Sequence, residues 1–316
     1  MIIKDTATLR KYLSINGSVE YVNLLPYIRK AERNFLKPII GATQLVEFDV
    51  EEPPTDQIIN QALELAQEAV ANYAYYLYLP IGAVQISDNG IHVVDNENTK
   101  TASDKQFKEL QRSFLKSAHE ALDELLEHME MSADKFMSWF NQEHYTVYKD
   151  LLVNKTSIFN KYFHIFNSRQ TFIAIRPNII VVEDQFIQPT IGSELLSTLK
   201  QAQSNDLRKK VKELLQHSIV SFSVMKTVDN GMFVLDAKGM HMRFDVLPYE
   251  KNMGINKSGH SDLINNIKHN KNIEGEEYLK MALDLIHNNE SIFPEYTKKE
   301  DQDHVSITVT KSIVGL

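Results

Sequence analysis

Two histidines and a carboxylate lie close together in His119-Glu120 and His128, and these are the ligand types of a zinc or other divalent-metal centre. A metal-dependent hydrolase would need His119, Glu120 and His128 to converge on one ion. Their spacing is not the HExxH arrangement, and an i, i+9 pair shares a helix side only loosely. His260-Ser261-Asp262 has the letters of a nucleophilic triad. Triad members converge from separate segments, however, so this stretch reads as a helix N-cap before LINNI. His92 and His241 stand between apolar residues, where a hydrogen-bonded, partly buried imidazole is expected and not a general base. Arg208, Lys209, Lys210 and Lys212 make a dense basic stretch. It reads as the solvated face of a helix, with a nucleic-acid contact as the competing role. The 11 glycines are scattered singly and offer no phosphate-cradling loop. The expectation is a protein that is not an enzyme and takes no metal and no cofactor.

The elements that carry these residues are set by the rest of the chain. Its 316 residues, 43% hydrophobic and 24% charged, suit two domains of ordinary size. The absence of cysteine removes disulfides, thiolate metal sites and a Cys nucleophile together. The start MIIKDTATLRKYL has neither the charged nor the apolar region of a signal peptide, and no run of about 18 apolar residues occurs, so a soluble protein made in the cytoplasm is expected. The net charge of −8 is uneven: residues 1–150 hold 14 basic against 23 acidic side chains, and the remainder 20 against 19. An acidic first half argues against broad phosphate neutralisation.

Asp5 or Thr6 can cap a short helix, and VEYVNLLPYIRKAERNFLKPIIG has helical apolar spacing that should stop between Pro38 and Gly41. Asp56 caps INQALELAQEAVANYAYYLYL, whose Ala-rich face suits close helix packing. Tyr73, Tyr75, Tyr76 and Tyr78 surround its end and cannot all face one core, so they are candidate interaction residues. A hairpin is expected near 83–94 around Asn89-Gly90, and Ser103 opens a long helix through LLEHMEM.

The pattern then recurs. Pro38-Ile39-Ile40-Gly41 answers to Pro189-Thr190-Ile191-Gly192, and one constant offset places Gly82 on Gly231, Ile86 on Leu235, Gly90 on Gly239 and His92 on His241. Ala121-Leu122-Asp123 matches Ala282-Leu283-Asp284. Gly82, Gly90, Gly231 and Gly239 are read as structural turn residues. A helical unit over 1–150 and a second, duplicated unit over 151–316 follow. TFIAI and NIIVV read as buried strands without counterparts in the first unit, and Val305, Ile307 and Val309 alternate as a C-terminal strand able to complete a sheet or join a neighbour's edge. The expected fold is therefore α+β, predominantly α-helical, with a hairpin in each unit and more strand in the second.

The run QALELAQEAVANYAYYLYLPIGAVQISDNGIHVV, a polar loop, and ASDKQFKELQRSFLKSAHEALDELLEHME resemble a family of uncharacterised proteins encoded by phages and integrated elements of Bacteroidetes. More distantly they resemble the head-to-tail connector proteins of tailed phages, with the likeness over residues 20–140. The resemblance implies a structural protein of the virion neck, made in the host bacterial cytoplasm, forming a homo-oligomeric ring below the portal. It implies contacts with portal and other neck or tail proteins, DNA passing through a channel without sequence-specific binding, and no membrane. A capsid or tail component, or an accessory binding protein, is the alternative.

Overall fold

The computed structural model describes residues 1–14, 20–87, 90–92, 102–142, 149–229, 233–236, 239–242 and 258–296. Its first helix, α1 (Thr6–Tyr12), is closed by the Asp5 carboxylate accepting from the Thr8 N–H. Helix α2 (Tyr21–Ala31) runs through a π-helical segment, Glu32–Leu36, into α3 (Lys37–Phe48). The π segment lies where Pro38 removes an N–H from the α ladder, which is where a wider turn relieves the lost bond. The helix ends at Gly41, as expected: that residue is non-helical, at φ 82 and ψ 167, and a second helical stretch follows it to Phe48.

Helix α4 (Gln57–Gly82) begins at Asp56, whose carboxylate accepts from the Ile58 and Ile59 N–H groups. Helix α5 (Asp104–Met131) begins with a capping box between Ser103 and Gln106. The two pack along each other, with Ala62, Ala66 and Ala69 of α4 and Ala118, Leu122 and Leu125 of α5 buried. Small residues permit the close approach, and the long helix pair is the frame of the first core. After a 3-10 turn, Ala133–Lys135, comes α6 (Met137–Phe140), where the Trp139 indole N–H donates to the Ile39 carbonyl at 3.2 Å.

The same order of elements follows again. Helix α7 (Thr156–Tyr162) leads to α8 (Arg169–Val182), a π-helical segment Glu183–Ile187, α9 (Gln188–Ile191), α10 (Ser193–Lys200), α11 (Asp206–Asp229), α12 (Ser258–His287) and a 3-10 turn, Glu290–Ile292. Equivalent residues do equivalent work. Gly192 repeats the backbone of Gly41 at φ 84 and ψ 153, just after Pro189. The buried Glu32 accepts from the Ile2 N–H at 2.8 Å while Gln67 Nε2 donates to the Ile2 carbonyl at 2.8 Å. In the second unit the buried Glu183 accepts from the Leu152 N–H at 2.5 Å while Gln216 donates to the Leu152 carbonyl at 3.0 Å. Both backbone groups at the start of each unit are thus satisfied by side chains, as burial demands. Phe35 stacks on Tyr73 (4.1 Å between centroids), and Phe186 stacks on Phe222 (4.5 Å). Two cores result, one drawing on residues from Ile2 to Trp139 and one on residues from Leu151 to Phe293.

The fold is all-α, which corrects the α+β expectation. TFIAI and NIIVV are not strands but the body of α8, with Phe172, Ile175, Ile179 and Val182 buried on one helical stripe. A short apolar run rich in β-branched residues is ambiguous by periodicity alone, and packing against a core decided it here. Among the described residues, β structure is confined to isolated two-stranded ribbons, β1 (Gln85–Ser87) with β2 (Gly90–His92) and β3 (Phe233–Asp236) with β4 (Gly239–Met242). Each ribbon has only three or four residues per strand and forms no layer. His92 and His241 lie on β2 and β4. Gly231 and the tail with Val305, Ile307 and Val309 lie outside the described residues. Helix α12 starts at Ser258, so His260-Ser261-Asp262 falls inside its first turns instead of capping it.

The units also pair differently from the sequence match on their last long helices. The turn ends Ser132 and Phe136 have the backbone angles of Asn289 and Phe293 (φ −126 and −122 against −140 and −120). This places Leu122 opposite Leu279 and Leu126 opposite Leu283, one helical turn from the alignment of Ala121-Leu122-Asp123 with Ala282-Leu283-Asp284. Among the described residues, no helix is long and apolar enough to cross a membrane.

Candidate functional site: the seam between the repeats

The groups singled out for chemistry are occupied in holding the fold. His128 Nε2 lies 2.8 Å from the Ile58 carbonyl, which makes it a donor tautomer closing the start of α4. His119 packs its ring edgewise on Tyr73, 5.6 Å between centroids. The two imidazoles do not converge, and among the described residues no three His, Asp or Glu side chains are placed to hold a metal ion. Arg208 donates to the Ile292 carbonyl at 2.6 Å and to Glu295 at 2.7 Å. Lys212 donates to the Gln201 carbonyl at 3.1 Å at the end of α10, and burial lowers its pKa. Lys209 pairs with Asp206 at 2.9 Å. Three of the four basic residues are therefore tied to intramolecular partners, and the stretch is a clasp between α11, α10 and the chain after α12.

The tyrosines separate into two kinds. Tyr73 is fully buried. Tyr75, Tyr76 and Tyr78 are half-buried against the first core. Tyr75 leans on Phe114 at 4.7 Å and on Tyr78 at 5.7 Å, and Tyr78 meets Tyr27 edgewise at 5.4 Å. Gly82 is needed for this arrangement, because a Cβ there would stand 2.5 Å from the Tyr78 ring. The aromatic end of α4 is thus an intramolecular seam first, with part of three rings left open.

What sequence reasoning missed is the junction of the repeats. The Tyr73 hydroxyl donates to Gln170 Oε1 at 3.3 Å, the Gln170 backbone N–H donates to Asp123 at 2.9 Å, and Gln170 Nε2 donates to the His119 carbonyl at 2.9 Å. Arg169 donates to Glu127 at 3.0 Å and Glu130 at 3.1 Å, and also to the Asn167 carbonyl at 3.1 Å. Ser168 caps α8 by accepting from the Thr171 N–H, after two residues with left-handed backbone, Phe166 and Asn167. The capped start of α8 is thereby aimed at the face of α5. Ile173, one turn on, packs against the first core. Burial pushes the Glu130 carboxyl above its ordinary range, and Arg169 pulls it back. A carboxyl raised in a cleft is a common mark of proton-transfer sites, but this one spends its charge on the guanidinium that joins the repeats. A cavity of about 400 Å³ opens beside it, lined by Glu127, Glu130, Met131, Phe140, Lys149 and Arg169 among others. The only signal in the sequence was the i, i+3 pair of glutamates, which many exposed helices share.

Neither the curated proteins nor the solved structures contain a match to the chain. One family model matches it, over residues 36–149 and again over 182–306, ranges that fall one in each repeat. This protein, with both of its helical repeats, belongs to the family of unknown function DUF6712.

Proposed function

We propose that the chain is a structural protein of a tailed-phage virion, a head-to-tail connector of the neck that assembles as a ring below the portal. The observation that carries the reading is the repetition of one helical unit joined by a one-way contact, in which α8 of the second unit docks on α5 of the first. A contact between two unlike faces is the kind that propagates around a closed rotation. The resemblance to phage connectors, over residues 20–140, takes in α4 and α5, the helix pair that frames the first core. The acidic first half suits a channel through which DNA slides, since negative walls do not trade counterions with phosphate. In this role the protein acts by contact with portal and tail proteins, without turnover, in particles assembled in a bacterial cytoplasm.

Gold-labelled antibody against the chain, applied to purified particles from a host that carries the gene, tests the reading. Gold at the head-to-tail junction is the expected result. Label over the capsid shell or along the tail would transfer the role to a capsid or tail component, and unlabelled particles that also lack the protein by mass spectrometry would sink a virion role altogether.

A further inference from the structure

We propose that the chain docks head to tail on a second copy of itself through the seam that already joins its own repeats, with α2 of one copy seated on α12 of the next. This deepens the ring reading and rests on it for closure into a ring. The contact itself is argued from the repeat geometry.

Inside the chain, α8 carries Arg169, Ile173 and Arg176 on one stripe: Arg169 pairs with Glu127 and Glu130 of α5, Ile173 packs on the first core, and Arg176 is buried. The equivalent stripe on α2 carries Val22 where α8 has Ile173, and Leu25 where α8 has Arg176, as the alignment of Pro26 with Pro177 and of Glu32 with Glu183 requires. Ile173 is half-buried against a neighbouring repeat, whereas Val22 is 69% exposed. The first repeat thus keeps an apolar side chain where the second repeat makes its docking contact, and among the described residues nothing covers it.

The receiving side has the converse mismatch. On α5, Leu122 and Leu126 lie beside the residues that α8 contacts, and both are fully buried. Their equivalents on α12, Leu279 and Leu283, are only half-buried in the second core. No comparable packing of α2 on α12 occurs among the described residues, so the two repeats are not related by a self-closing twofold contact. Among the described residues, a donor face on α2 and an acceptor face on α12 are thus left at least partly open. The charges also match in part. Asp284 replaces Glu127 on the acceptor and Glu276 replaces His119, both exposed, while the donor helix exposes Arg29 one turn beyond Leu25. Lys280, in place of Asp123, and His287, in place of Glu130, are the exceptions. Burying the Val22 and leucine surface supplies the drive, because apolar area removed from water is favourable whichever copy supplies the cover. A ring of such chains would hold twice as many repeats as chains, with covalent and non-covalent seams alternating.

The full-length chain contains no cysteine, which permits a directional test. Val22→Cys, Leu283→Cys and the double variant are treated with a short bismaleimide at a concentration where light scattering shows oligomers of wild type. The double variant is expected to give a ladder of linked chains, and an equal mixture of the two single variants a linked dimer and nothing longer. Each single variant alone should stay unlinked. In parallel, Val22→Glu, at a position exposed in the single chain, should reduce the solution mass to that of a monomer while keeping the wild-type melting temperature at dilutions where wild type is itself monomeric. Wild type that is monomeric at every concentration, ladders from a single variant alone, or Val22→Glu with the wild-type mass would each overturn the proposal. A ladder without gold at the neck would remove the virion role and keep the interface. Gold at the neck without a ladder would do the reverse.

Discussion

Arg169→Ala isolates the junction of the repeats. The arginine is 11% exposed, and it holds Glu127 (38% exposed) and Glu130 (30% exposed) at 3.0 and 3.1 Å. Breaking a fully buried ion pair from one side costs about 3–5 kcal/mol, and an exposed pair is worth about 0–1 kcal/mol. With the cation buried and both carboxylates partly wet, about 2 kcal/mol is the expected loss, a fall of about 4–8 °C for a unit of this size. The pH dependence separates this cause from simple loss of packing. Burial already raises the Glu130 carboxyl, and removing Arg169 raises it further. A native state that retains a proton the unfolded chain has released loses stability as pH rises from the ordinary carboxylate value through the raised one. The deficit of Arg169→Ala should therefore be small near about pH 4.5 and complete at neutral pH. Adding Glu130→Gln should recover part of it at neutral pH. Calorimetric melting of wild type, single and double variants at both pH values is the assay. A deficit of equal size at both, or no deficit at all, would refute the electrostatic account of the seam.

Gly41 and Gly192 share a backbone that side chains rarely adopt, φ 82 and 84 with ψ near the extended limit, so each should lose about 1–3 kcal/mol on substitution by Ala. Gly41→Ala should lose more, because its Cβ would collide with the Gln142 amide, which now donates to the Ile40 carbonyl, whereas nothing lies within 4 Å at Gly192; equal midpoint shifts in urea would contradict this. Glu32→Gln keeps an oxygen for the Ile2 N–H and removes a carboxyl whose pKa burial has raised. Stability that wild type loses as pH rises above the usual carboxylate range should be retained in this variant, giving a flatter melting profile; parallel profiles would show that Glu32 does not titrate in folding.

The sequence by itself determined the punctuation of the fold. Asp5, Asp56 and Ser103 are caps because a short polar side chain can satisfy the free N–H groups of a helix start from one position alone. The Pro-Gly pairs 38/41 and 189/192 revealed the repetition because prolines and glycines constrain the backbone locally. Other features required the tertiary structure. TFIAI and NIIVV became helix because α8 must bury Phe172, Ile175, Ile179 and Val182 against α11, a demand set by a partner distant in sequence. The register of α5 on α12 slipped by one turn in the sequence match because residues four apart on a helix share a face, so apolar letters alone do not distinguish the two alignments. Local constraints are written at single positions, but the salt bridges of Arg169 and the opposite exposures of Ile173 and Val22 exist only where two helices meet, and only the folded chain brings them together.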